Sequence, residues 1–349
     1  MGNKKAGLPG KTIRYLCIAA ALAVCLLITA GCFIISANLD SSPSTVNEIA
    51  SSDSSNSTSS ETSTAEMPDN STTTVFDETS SQTSGEELKT RFNELKNSVK
   101  DLIKILKFLD ENISSADESL ADEMIYFTVR TGEKDREKFT DNYADNNIQI
   151  TIYDEFGGST DLNQLKTSKN KKLADLAQET IDRKYKLYNA EGFIAPLVDY
   201  KAYSSYRQYL SKEMNDYMDI MQAESDQPSA VDAGIVIPLE DFIDRIIKSY
   251  KFVADYPDSP RAEQINNMKK NKVWIYFAGI DNTPVFEMNG KIYPERFKDF
   301  QGTQKKYEGT EFGNLLKDYL DLLKQENYQR TQKISDYLEN LYNSFLVNN

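Results

Sequence analysis

Twenty-three consecutive uncharged residues, Tyr15 to Ala37, opening YLCIAAALAVCLLITAGCF, set the frame into which the rest of the chain must fit. At about 1.5 Å per residue, a helix of that length crosses a hydrocarbon core of about 30 Å. Lys4, Lys5, Lys11 and Arg14 precede the run and no acid does, a bias that holds the N-terminus inside and sends the remainder outside. The expectation is a cytoplasmic n-region over 1–14, a signal-anchor helix over 15–37 and an extracytoplasmic remainder. A second reading competes within the same run. In ITAGC the small residues Ala30 and Gly31 stand before Cys32, the loose form of a bacterial lipobox, in which the chain would be cut ahead of Cys32 and held on the outer face by lipid on its sulfur. The apolar FII after the cysteine favours the spanning helix, and both readings leave the domain on the same side.

From Ser41 to Gly85 the chain has 45 residues, of which 24 are Ser or Thr. Such a segment has little to bury and cannot offset its ordering entropy, so 38–85 is expected to be a disordered acidic stalk. As a flexible coil it would reach roughly 35–40 Å. Residues 86–349 have ordinary globular composition, enough for one large core or two smaller ones dividing near 190–238.

Periodicity makes that remainder all-α. Leu88, Phe92, Leu95, Val99, Leu102, Leu106 and Leu109 recur at spacings of four and three, which predicts one helix packing on the domain's other helices in preference to a coiled coil. Further helices are expected from Ser119, over 162–185, over 203–221, from Pro238, and from Ser259-Pro260 to Gly279. The stretch IQITIYDEFGGST fits either a strand or a helix. Asn289-Gly290 predicts one small β-hairpin or extended loop near 283–293, after which helices resume at Pro294. The expected architecture is a helical bundle or a short stack of antiparallel helix pairs.

The helix pair around FVADYPDSPRAEQ, Pro238 to Gly279, resembles the helix-turn-helix joint of tetratricopeptide-type repeats, but no second copy follows at a fixed period. AEGFIAPLVDY, SDQPSAVDAGIVIP, YPDSPRAEQ and AGIDNTPVF together resemble anchored helical ectodomains of Gram-positive bacteria. That resemblance implies an extracytoplasmic location and carries no catalytic residues with it.

The chemistry available is narrow. There is no histidine, and Cys17, Cys25 and Cys32 all lie in the apolar N-terminal run, so nucleophile-histidine pairs, thiol catalysis and the usual zinc ligands are absent from the domain. EFGGST lacks the spacing and the lysine of a phosphate-binding loop. No EF-hand pattern occurs, and neither metal nor cofactor is expected. From residue 86 on, 46 acids face 36 basic residues, which disfavours nucleic acid as a partner. Carboxylate chemistry survives, and its loop candidates are Glu191 with Asp199 and Asp226 with Asp232. Each also has an ordinary role as a cap or turn residue, which is the favoured reading. Tyr200, Tyr203, Tyr206 and Tyr209 could line a sugar- or peptide-binding face, though Tyr203 and Tyr206 share a stripe with Leu210 and Met214, and core packing is expected. The basic cluster KTSKNKK reads as a solvated face. The sequence therefore points to a non-enzymatic binding or scaffolding module at the cell envelope, for an envelope protein or glycan, with no catalytic residues. A carboxylate-dependent envelope hydrolase of glycosidase type is the alternative.

Overall fold

The computed structural model describes residues 79–346, and side chains over 85–343. The expected anchor, with Cys32, and most of the expected stalk lie outside the described residues. The first helix among the described residues is α1 (Thr79–Ser98), which begins inside the Ser/Thr-rich stretch.

The described residues are all-α, with only small antiparallel strand pairs among them. After α1 come α2 (Leu102–Asn112), α3 (Glu118–Tyr143), α4 (Asn146–Phe156), the single turn α5 (Leu162–Leu165) and α6 (Lys171–Asp182). A hairpin of β1 (Tyr185–Ala190) and β2 (Phe193–Val198) follows, then a 3₁₀ segment Tyr200–Tyr209 and α7 (Lys212–Asp226). Two very short hairpins, β3 (Ala230–Val231) with β4 (Gly234–Ile235) and β5 (Gly279–Ile280) with β6 (Thr283–Pro284), flank the long pair α8 (Leu239–Asp255) and α9 (Ala262–Ala278). The chain closes with α10 (Pro294–Lys306), α11 (Glu311–Gln325) and α12 (Gln332–Leu346).

Caps explain where these helices start. Side chains of Asp101, Asp117, Asp145, Asp161, Asn170, Ser211 and Thr310 each accept a backbone N–H from the first turn, which satisfies donors that no helix can satisfy itself. Asp101 is the cap that corrects the first expectation. The stripe from Leu88 to Leu109 is two helices, broken at 99–101, because an acid that can cap interrupts the run. Leu88, Phe92, Leu102, Leu106 and Leu109 are nevertheless all buried against the domain, as expected.

The ambiguous stretch is helix α4, closed by Gly157 in the left-handed region at φ 63°. The helix expected over 162–185 is two helices, with Tyr185 opening β1. The one expected over 203–221 is a 3₁₀ segment and α7, parted where Ser211 caps. Pro238 is the N-cap of α8, and α9 begins at Ala262, where the Ser259 hydroxyl accepts the Arg261 N–H. Gly279 ends α9 as expected: at φ 76°, a Cβ there would lie 2.7 Å from the Val285 nitrogen. Near 283–293, Phe286 bridges Ile292 around the Asn289-Gly290 turn.

The apolar side chains form two principal cores. One runs from Leu88 to Met221 and takes in Phe252 and Ile265; the other runs from Ile237 to Leu341. The helices α8 and α9 belong to both, since Phe242, Ile243 and Ile246 pack in the second core while Phe252 at the far end of α8 packs in the first. The hairpin β1–β2 lies on α3 with nearly every residue of β2 buried. Its outer edge is closed by a side chain. Gln149 on α4 accepts the Ile194 N–H through Oε1 at 3.0 Å and donates through Nε2 to the Ile194 carbonyl at 2.8 Å and the Tyr143 carbonyl at 2.7 Å. A glutamine amide thus takes the place of a neighbouring strand.

Candidate functional site

The four loop acids are built by local backbone chemistry. In β1–β2 the register pairs Ala190 with Phe193, leaving Glu191-Gly192 as a two-residue turn with φ of 51° and 93°. Both values are positive, as a type I′ hairpin turn requires. Asn189 braces the tip: its Oδ1 accepts the Gly192 N–H at 2.9 Å, and its Nδ2 donates to the Tyr153 hydroxyl at 3.1 Å. In β3–β4 the turn is Asp232-Ala233, with φ of 47° and 51°. No glycine relieves it, and Ala233 in the left-handed region costs about 1–2 kcal/mol.

The third tip compensates. Asn282, at the turn of β5–β6, donates its backbone N–H to the Ala233 carbonyl at 2.8 Å and its Nδ2 to the Asp232 carbonyl at 2.5 Å, while the Thr283 hydroxyl accepts the Ile235 N–H at 2.9 Å. Three hairpin tips therefore meet. The Glu191 carboxyl hydrogen-bonds that of Asp232, which pushes the Glu191 pKa above the ordinary glutamate range.

The sequence pairing of the acids is thereby exchanged. Asp199 caps the 3₁₀ segment, accepting the Lys201 N–H at 3.1 Å, and sits at the base of the hairpin whose tip holds Glu191. Six residues of strand put about 20 Å between them. Asp226 ends α7, ion-paired with Lys186 at 2.5 Å, and accepts from Gln222 at 3.2 Å. Glu191 and Asp232 come together; Asp199 and Asp226 are taken up elsewhere.

A half-buried ionic cluster sets the root of the Asp232 hairpin. Glu224 on α7 meets Arg245 of α8 at 3.1 Å and Lys272 of α9 at 3.4 Å, and accepts both the hydroxyl and the N–H of Ser229. Burial pushes the Glu224 carboxyl up, but Lys272, the Ser229 hydroxyl and Arg245 together hold it below the usual range. Arg245 also donates to the Gln227 carbonyl at 2.6 Å, fixing the chain just before the hairpin. No spacing in the sequence announces this cluster, because its members lie on three helices at surface-like positions.

The tyrosines pack inside. Tyr200, Tyr203 and Tyr206 are buried, and the hydroxyls of Tyr200 and Tyr206 donate to Glu133 and Asp110. Burial, with those acids, raises their phenol pKa values and keeps them protonated. The Tyr203 hydroxyl is buried without a partner. In KTSKNKK, Lys171 pairs with Asp175 and Lys172 with Asp145 at the surface. An open concavity of about 460 Å³ is lined by Asn142, Lys171, Lys172, Asp175, Leu176 and Glu179, and contains none of the four acids. Among the described residues, no group of three or more Cys, Asp or Glu side chains is placed to hold a metal ion, and no helix is long and apolar enough to cross a membrane.

Comparison with protein-family models, curated proteins and solved structures finds no match to the chain. Function must be argued from the residues themselves.

Proposed function

We propose that the chain is a membrane-anchored extracytoplasmic binding or scaffolding module of the bacterial cell envelope, serving an envelope protein or glycan. The anchor-like run at 15–37 with its basic flank, and the acidic Ser/Thr stretch after it, support the location. One observation about the acids supports binding over catalysis: the two that converge sit on exposed turns at the tips of hairpins, with no enclosed cleft around them. Glycosidase carboxylates stand about 5–9.5 Å apart, leaving room for a glycosidic bond and, in inverting enzymes, a water between them. Glu191 with Asp199 is far beyond that range.

The envelope hydrolase stays as the second reading on a single observation. A pair of carboxyls in which one is raised above its ordinary range by the other is an arrangement that can supply both acid and base. Location is tested by treating intact cells with an added protease, with a tag placed after Asn349. Loss of the tag without lysis is expected, and protection of the tag until lysis would overturn the proposed location. The mass of the mature chain then separates the two anchors, since an acylated Cys32 as first residue would replace the spanning helix with lipid.

A further inference from the structure

The chain contains a single Asn-Gly dipeptide, Asn289-Gly290, and the fold carries it to an exposed surface tip. Its neighbour Met288 stands fully out in solvent, at 108% relative exposure, and Gln329 is the side chain nearest Gly290, 3.5 Å from where a Cβ would stand. Besides the Glu287 N–H bond to the Lys291 carbonyl at 2.8 Å, three bonds hold the tip. The Gly290 N–H donates to the Glu287 carbonyl at 2.9 Å, the Lys291 N–H to Asn289 Oδ1 at 2.8 Å, and Asn289 Nδ2 to Glu287 Oε2 at 2.8 Å. All three lie at the surface, where opening is cheap. Beyond the tip the hairpin is tied inward: Arg330 N–H donates to the Gly290 carbonyl at 2.7 Å, Ile292 N–H to the Tyr328 carbonyl at 3.0 Å, and Phe286 and Ile292 enter the second core.

We propose that Asn289 is a site of spontaneous covalent modification, losing its side-chain amide through attack by the Gly290 nitrogen, and that the product loosens the 286–292 hairpin. Glycine has no side chain to shield its nitrogen or restrict approach, which singles out this asparagine. When the tip opens, the Gly290 nitrogen forms a bond to Asn289 Cγ, the Cγ–Nδ2 bond breaks, and ammonia leaves with the proton that the amide gives up. Water then opens the resulting succinimide at one of its two carbonyls, giving an aspartyl or an isoaspartyl residue. Either product replaces the amide that donated to Glu287 with a carboxylate facing a carboxylate. The isoaspartyl form also adds a methylene to the backbone at the turn, which displaces Gly290 from Arg330 and shifts the register of Ile292.

The test uses the full chain in detergent micelles, held in mildly alkaline buffer and sampled over time by peptide mass spectrometry with an isoaspartyl assay. Asn282 is the internal reference, an exposed hairpin asparagine followed by the β-branched Thr283. Loss of the amide at Asn289 with isoaspartate formed there, while Asn282 keeps its amide, is the expected result. Hydrogen exchange at Ile292 and Arg330 should rise in the aged chain and stay unchanged in aged Asn289→Gln. Equal loss at Asn289 and Asn282, or none at Asn289, overturns the site. Unchanged protection at Ile292 and Arg330 in the deamidated chain overturns the structural consequence.

Discussion

Replacing Gln149 with leucine tests how the β1–β2 hairpin is held. The substitution keeps an apolar stem of similar size but removes the amide that satisfies three backbone groups, the Ile194 N–H and the carbonyls of Ile194 and Tyr143. Gln149 is only 9% exposed, so water does not readily replace it. A buried polar group left unmade costs about 1–3 kcal/mol. The orphaned N–H should carry a full share and the two carbonyls less, since carbonyls tolerate partial satisfaction better. The expected loss is therefore about 3 kcal/mol, a large part of the roughly 5–15 kcal/mol by which domains are stable. Urea unfolding followed by far-UV circular dichroism reads it as a lower midpoint at unchanged slope. A loss within about 0.5 kcal/mol, the scale of an ordinary surface substitution, would refute the view that Gln149 stands in for a strand.

Three further outcomes follow from the site and its supports. Glu224→Ala leaves the half-buried Arg245 and the buried Lys272 without their carboxylate and should cost about 3 kcal/mol in the same assay. Tyr203→Phe removes a buried hydroxyl that has no partner and should stabilise by about 1 kcal/mol, whereas Tyr206→Phe loses its bond to Asp110 and should destabilise; equal effects would contradict the burial picture. The raised Glu191 pKa means that its contact with Asp232 is fully present below the ordinary glutamate pKa and fades as pH rises through the folded value. Glu191→Gln donates to Asp232 without titrating, so hydrogen exchange at the two tips should lose that pH dependence in the variant; the same profile in both proteins would count against the pair.

Much of the fold was legible because the helices announce themselves through capping side chains and apolar stripes. Pro238, Ser259, Gly279, Asn289-Gly290 and Pro294 all mark boundaries where the chain turns. The largest hairpin was not legible. Its β2 is buried almost throughout, so FIAPLV shows no alternation, and the residue that completes its edge, Gln149, belongs to a helix some forty residues earlier. The stripe from Leu88 to Leu109 misled in the opposite way, since a continuous heptad pattern conceals the break capped by Asp101. At the candidate site, Glu191 and Asp232 could be chosen as loop acids, but their meeting depends on hairpin turns that place Asn282 against Ala233. Nothing local in the sequence encodes that approach.

The central claim, binding without hydrolysis, is tested most directly by mixing residues 86–349 with purified bacterial envelope material and measuring both co-sedimented protein and released glycan fragments. The account predicts saturable co-sedimentation and no release. Release that disappears in both Glu191→Gln and Asp232→Asn would contradict it and make the hairpin pair a catalytic one.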